Sequence, residues 1–183
     1  MKKFILICLV SFLLSFPTIS YAEDSQAKAG IMPGNPLYFF DILGEKMALI
    51  FAAKPEKKFT LYLKYAQERT SELDKLASQN KSKYIDKVVK NFQYNMDNAS
   101  KKFKELEAKG QNVDRLATQL QENALRQQNV LHRVLTQVPE VAKSAIQRAI
   151  DTSKNGLEQA AQSIQKKNLE QENKSNSALP EVK

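Results

Sequence analysis

Few residues in this chain are equipped for chemistry. It has one histidine, His132, and one cysteine, Cys8. His132 stands between Leu131 and Arg133, with Gln128 and Thr136 a turn to either side. No carboxylate lies three or four residues away, so the Glu-x-x-His spacing that lets one helix hold a metal is absent. No Gly-rich phosphate loop follows a strand, and no Asp/Glu pair has a spacing that singles it out. The reading is of a protein that is not an enzyme, with no catalytic, cofactor-binding or metal-binding residue to assign. Arg69 stands apart. It interrupts an apolar stripe between Ala66 and Leu73, where an unpaired charge would be costly. Its stem could lie along the core with its head in water. It could instead pair with an acid from another helix, and Glu45 is the candidate, with Glu72 adding an i,i+3 contact. Such a pair would fix helix register more than it would add stability.

The elements that must position Arg69 are all helical. Asn35 followed by Pro36 is a helix-start signal, and a first helix is expected over residues 36–53, burying Leu37, Phe40, Leu43, Met47, Ile50 and Phe51. Pro55 stops it and opens a second over 55–79, with Phe59, Tyr62, Ala66, Arg69, Leu73 and Leu76 in register. A third is expected over 81–109, with Ile85, Val89, Phe92, Met96, Ala99, Phe103 and Leu106 on one face. Gly110 suits a helix end and Asn112 can cap the fourth, over 113–138, with Val113, Leu116, Leu120, Ala124, Leu131, Val134 and Val138 on one face and Gln127 and Gln128 interrupting it. Pro139 opens a fifth, to 167, in which Gly156 is a weak point. No stretch alternates with period two, so no sheet is expected. Stripes at 3.5-residue spacing with short links predict an all-α, antiparallel bundle of about five helices. The domain boundaries follow: residues 23–34 a flexible leader, 35–167 the bundle, 168–183 a disordered polar tail.

The N-terminus sets the compartment. Lys2 and Lys3 precede an apolar run from Phe4 to Phe16, closed by Pro17 and by Ser20-Tyr21-Ala22. At about 13 residues the run is short of the roughly 20 that span a bilayer. Residues 1–22 read as a signal peptide cleaved near Ala22, which places the mature protein outside the cytoplasm, in a periplasm or at a cell surface. Cys8 lies inside the run, where it does not suit a lipid-attachment site. Without it the mature chain has no disulfide and rests on its core alone. The chain has 28 basic and 20 acidic residues. Without Lys2 and Lys3 the balance is 26 to 20, a net charge of +6. The excess gathers between Lys81 and Lys109, eight lysines against four acids. Lys83, Lys87, Lys90, Lys101, Lys102 and Lys104 are the candidate contacts to an anionic surface. The ordinary alternative is a solvated helix face, since Asp86–Lys90, Asp97–Lys101 and Glu105–Lys109 have the favourable i,i+4 order. Export argues against nucleic acid as the partner.

Pro33-Gly34-Asn35-Pro36-Leu37-Tyr38, Glu45-Lys46, Pro55-Glu56-Lys57-Lys58 and Ala66-Gln67-Glu68-Arg69-Thr70-Ser71-Glu72-Leu73 resemble the domain-of-unknown-function family numbered 5667. Leu135 to Ile150 is similar to that family's closing helix, so the resemblance covers about residues 33–156. Asn35 stands where the family usually has Ser, and Thr70 where it has Leu. The resemblance implies an exported or membrane-attached bacterial or archaeal protein. It carries over no catalytic residue, and it implies a structural role for Pro36, Leu37, Tyr38, Glu45 and Arg69.

Function is weighed among three non-catalytic readings. The first is an interaction module that docks an unidentified extracytoplasmic protein, as an envelope regulatory or stress accessory. The second is a chaperone-like binder of unfolded exported proteins, although the Leu-Thr-x-x-Gln repeats of small periplasmic chaperones are only approximated at Leu116 and Leu135. The third is attachment of the basic helix to anionic lipid or envelope polymer. Tyr38, Phe39 and Tyr65 are the aromatics that decide between them. Any of them exposed beside the first helix favours a docking surface there.

Overall fold

In a computed structural model the chain is described over residues 29–177. The expected signal peptide and cleavage site, the start of the leader and the last six residues lie outside that range. The order is α1 (Tyr38–Phe51), α2 (Pro55–Ser78), a 3-10 turn (Ser82–Tyr84), α3 (Ile85–Ala108), α4 (Asp114–Gln137) and α5 (Glu140–Ser177). The described residues hold no strand.

The breaks fall where the backbone chemistry requires them. Pro55 stands at the first position of α2, behind an extended Lys54. α2 ends with Asn80 at φ 54° and a Lys81 N–H donated back to the Leu76 carbonyl. α3 ends in the same way on Gly110, at φ 68°, with the Gln111 N–H on Leu106. Both residues occupy the left-handed conformation that closes a helix, open to Gly and tolerated by Asn. Asn112 Oδ1 then accepts the Asp114 N–H at 3.0 Å and starts α4.

α2 and α3 form one antiparallel hairpin, and α4 and α5 form the other. Between hairpins the neighbours run parallel. Along α3 and α5, Asp86 meets Arg148, Gln93 meets Thr152, Ser100 meets Gln159 and Glu107 meets Ser163. α2 packs on α4 in the same sense, while α3 and α4, consecutive in sequence, hardly touch. The stripes expected on α2, α3 and α4 are all buried and meet in one core, with Phe59 and Phe103 rings 6.2 Å apart. Gly156, read as a weak point, lets α5 approach closely: a Cβ there would stand 3.0 Å from Met96 Cε. Gln127 and Ser153 are buried together, and Ser153 Oγ donates to the Ala124 carbonyl at 2.9 Å.

Two expectations are overturned. α5 does not stop at 167 but continues to Ser177, through residues expected to be disordered. Leu169, Glu170, Gln171 and Glu172 are good helix formers, with no Gly or Pro to break the run before Pro180. More consequentially, Leu37, Phe40, Leu43, Met47, Ile50 and Phe51, expected in the core, are all exposed. α1 buries Tyr38 and Leu49 instead. It lies on the outside of the α2–α3 hairpin and presents its apolar side to solvent.

Candidate functional site

The orientation of α1 follows from one buried cation. Arg69 lies within the α2 stripe and is 0% exposed, so its partners must come to it. Glu72 Oε1, one turn along α2, is 3.0 Å from Nη2. Glu45 of α1 reaches the same nitrogen with Oε1 at 2.6 Å, which forms the expected inter-helix pair. Glu68 Oε2 stands at 3.6 Å. Tyr38, two turns before Glu45 on the same face of α1, is drawn in with it. Its hydroxyl accepts from Asn91 Nδ2 of α3 at 3.3 Å and from Arg69 Nη1 at 3.5 Å, and donates to Glu72 Oε2 at 3.5 Å. Pro36 and Leu37 are exposed in the turn ahead, which Asn35 closes by accepting the Leu37 N–H. Asn35 thus caps a turn, and helical hydrogen bonding begins later, at Tyr38. Gly34, at φ 97°, is held against Tyr84, whose hydroxyl would be 2.6 Å from a Cβ.

Three carboxylates around one guanidinium leave the cluster short of positive charge. Burial pushes Glu45 up to about 7, against the pull of Arg69, and Glu68 and Asp41 push the same way. Burial likewise raises Glu72 to about 7 and raises Glu68 above the ordinary range. Burial alone would lower Arg69, but Glu72 and Glu45 outweigh it and hold the guanidinium charged. Tyr38 and Tyr65 are pushed up by burial, Tyr65 to about 12, so neither is a proton donor near neutral pH. The guanidinium holds all three carboxylates within 3.6 Å through Nη2, while its buried Nε finds no hydrogen-bond partner among the described residues. The arrangement is a clasp that fastens α1 to the bundle.

What the clasp turns outward is the notable surface. Phe39, Phe40, Leu43, Met47, Ile50 and Phe51 form a stripe along the solvent side of α1, with Phe40 64% and Phe51 75% exposed. Taking about 200 Å² for a side chain of this size, these exposures amount to roughly 700 Å². The largest apolar patch on an ordinary monomer is about 300–600 Å². Of the three aromatics left open, Tyr38 and Tyr65 are buried and Phe39 is exposed.

The lysines read as contacts to an anionic surface are on the outer side of α3 or just before it, and most are already engaged. Lys87 Nζ lies 5.0 Å from the Tyr38 ring centre, and Lys83 Nζ 4.8 Å from that of Tyr84. Lys90 pairs with Asp86 at 2.8 Å and Lys102 with Glu105 at 2.7 Å, while Lys101 and Lys104 are exposed. A groove of about 740 Å³ between α2 and α4 is lined mainly by polar side chains, among them Gln67, Asp74, Arg126 and Arg133. His132 is exposed. Among the described residues no helix is long and apolar enough to cross a membrane.

Neither a curated protein nor a solved structure matches the chain. A family does: the Domain of unknown function (DUF5667) matches residues 30–141, from the turn before α1 to the first residues of α5. The match stops short of residues 142–156, which the resemblance had included. The chain belongs to this family.

Proposed function

As a reading of this family member, we propose a non-catalytic docking module that works outside the cytoplasm, as an envelope regulatory or stress accessory, through the outward face of α1. The observation that carries it is the inversion of that helix. Glu45, partly buried, and Tyr38, buried, face the protein while Phe40, Met47 and Phe51 face solvent. An apolar stripe of this size exposed to water is unfavourable unless something covers it. The four-helix core is complete without it, so the stripe is free to serve an outside contact. The polar lining of the α2–α4 groove offers an unfolded client little apolar bed, which favours docking over a chaperone role.

The test is affinity capture from the native envelope fraction, with the chain and with Phe40→Ser/Phe51→Ser side by side, washed at low and then high salt. Material held by the chain and lost by the variant supports the reading. An identical retained set, with both proteins folded by circular dichroism, overturns it.

A further inference from the structure

We infer that the outward face of α1 rests on an anionic lipid surface, with the helix in the plane of the headgroups and its apolar side chains toward the acyl region. The inference rests on the docking reading above and names its occupant. The shape comes first. Phe39, Phe40, Leu43, Met47, Ile50 and Phe51 follow one another round an arc of somewhat over 100°, the width of an apolar helix stripe, and no polar side chain interrupts it. The ridge is exposed along its length and lines none of the described grooves, whereas a protein partner's anchor residue is seated in a pocket. A helix lying in the interface needs only such a ridge, because lipid flows to its shape and takes it in to a depth of about 5–10 Å.

Charge then selects the surface. The two acids of α1, Asp41 and Glu45, are both turned toward the protein, and Asp41 Oδ2 is buried. The outward charge of the helix is Lys46 alone, at the edge of the stripe. Lys54 and Lys57 are exposed just beyond its C-terminal end, and Lys87 is exposed beside Tyr38 at its start. An apolar stripe with lysines at its edge and both ends is the pattern of a helix held on anionic headgroups. The same charges count against a second copy. Two copies meeting on this face would bring like-charged rims together, with no outward acid on either helix to answer them.

The chain contains no tryptophan. Phe40→Trp in the full chain therefore makes a single emitter on this face, independent of what the N-terminal apolar run does. The probe is vesicles of phosphatidylglycerol mixed with phosphatidylcholine, plain or with brominated acyl chains. The expected result is a blue shift of the emission on anionic vesicles, quenched by the bromines and much weaker on phosphatidylcholine alone. In the Phe40→Trp background, Lys46→Gln should raise the lipid needed for half the shift about fivefold, and Phe51→Ser roughly tenfold. Emission that ignores vesicles, or responds equally to neutral ones, overturns the inference. So does emission already blue-shifted without lipid, which would mean the face is covered by a second copy if the mass is doubled, or by the chain's own N-terminal run if it is not. If vesicles have no effect while envelope capture still depends on Phe40 and Phe51, the occupant is a protein and the docking reading stands. If capture is also indifferent to them, the docking reading falls with it.

Discussion

Replacing Arg69 by Met tests the clasp most directly. Met keeps apolar bulk in the α2 stripe and removes the charge. Glu45 at 2.6 Å and Glu72 at 3.0 Å then lose their cation while remaining shielded from water. Breaking a buried pair from one side costs about 3–5 kcal/mol, because the surviving charge is left uncompensated. An independent route gives a similar size. A carboxyl held near 7 instead of its ordinary 4.5 already costs on the order of 3 kcal/mol to ionise. Without Arg69 that value rises further and the cost with it. For a chain of this length about 1 kcal/mol moves Tm by 2–4 °C, so a fall of about 10 °C or more is expected at pH 7.5. The control is Lys64→Ala: that ammonium is half-exposed, stands 3.7 Å from the mostly buried Glu68, and its loss should move Tm by no more than about 2 °C. Thermal melts by far-ultraviolet circular dichroism measure both. The gap between Arg69→Met and the parent should narrow at pH 5, where the orphaned carboxyls are protonated. Equal effects of the two substitutions, or a gap as wide at pH 5 as at pH 7.5, would refute the account.

Three further outcomes follow from the same geometry. In the parent chain Glu45 and Glu72 are raised to about 7, so between pH 4.5 and 7 the folded state binds more protons than the unfolded one. Their contribution is full below pH 4.5 and is lost as pH rises through 7, so stability should fall from pH 5.5 to pH 8 by about 2 kcal/mol for each group, or about 4 kcal/mol together; urea melts that show it rising would contradict the assignment. Glu45→Ala removes the acceptor that ties α1 to the Arg69 guanidinium, a charge-assisted bond worth about 1.5–3 kcal/mol, so amide exchange over residues 38–51 should speed up at least tenfold while α2 to α5 stay protected; uniform loss would mean that α1 is part of the core unit. Phe51→Ser, on the exposed side, should change stability by less than about 0.5 kcal/mol, whereas Phe103→Ala in the core should cost about 3–5 kcal/mol; comparable losses in urea melts would put the α1 stripe inside.

Much of this arrangement was readable in the sequence, and one part was misread for an instructive reason. The stripes of α2, α3 and α4 and the stops at Pro55, Gly110 and Pro139 are local matters, and the residues state them; for Arg69 they left open a head in water or a pair with Glu45, and burial of the whole side chain selects the pair. The facing of α1 is different. Its sequence is apolar almost all round, so periodicity favours no side. Yet Glu45 lies opposite Phe40 and Met47 on a helix, at about 100° per residue. Pairing Glu45 with a buried Arg69 therefore excluded burying Phe40 and Met47, and the two expectations could not both hold. The charged pair decided the matter, because an orphaned buried arginine costs more than a wetted phenylalanine. The extension of α5 past residue 167 was missed for a simpler reason: a polar composition was read as disorder where helix propensity was high.

The bundle has four walls, and the last of them has a separate standing. Ala142, Ala145, Ile146, Ala149, Ile150 and Ser153 of α5 seal the core against α3 and α4, yet all of them lie beyond residue 141, where the family match ends. The region that defines the family in this chain is thus an open box, closed by a lid from sequence the family pattern does not describe. The clasp at Arg69 is centred on α2, which lies diagonally across the core from that lid. Changes in α5 can therefore retune how firmly the box is shut without touching the surface it presents.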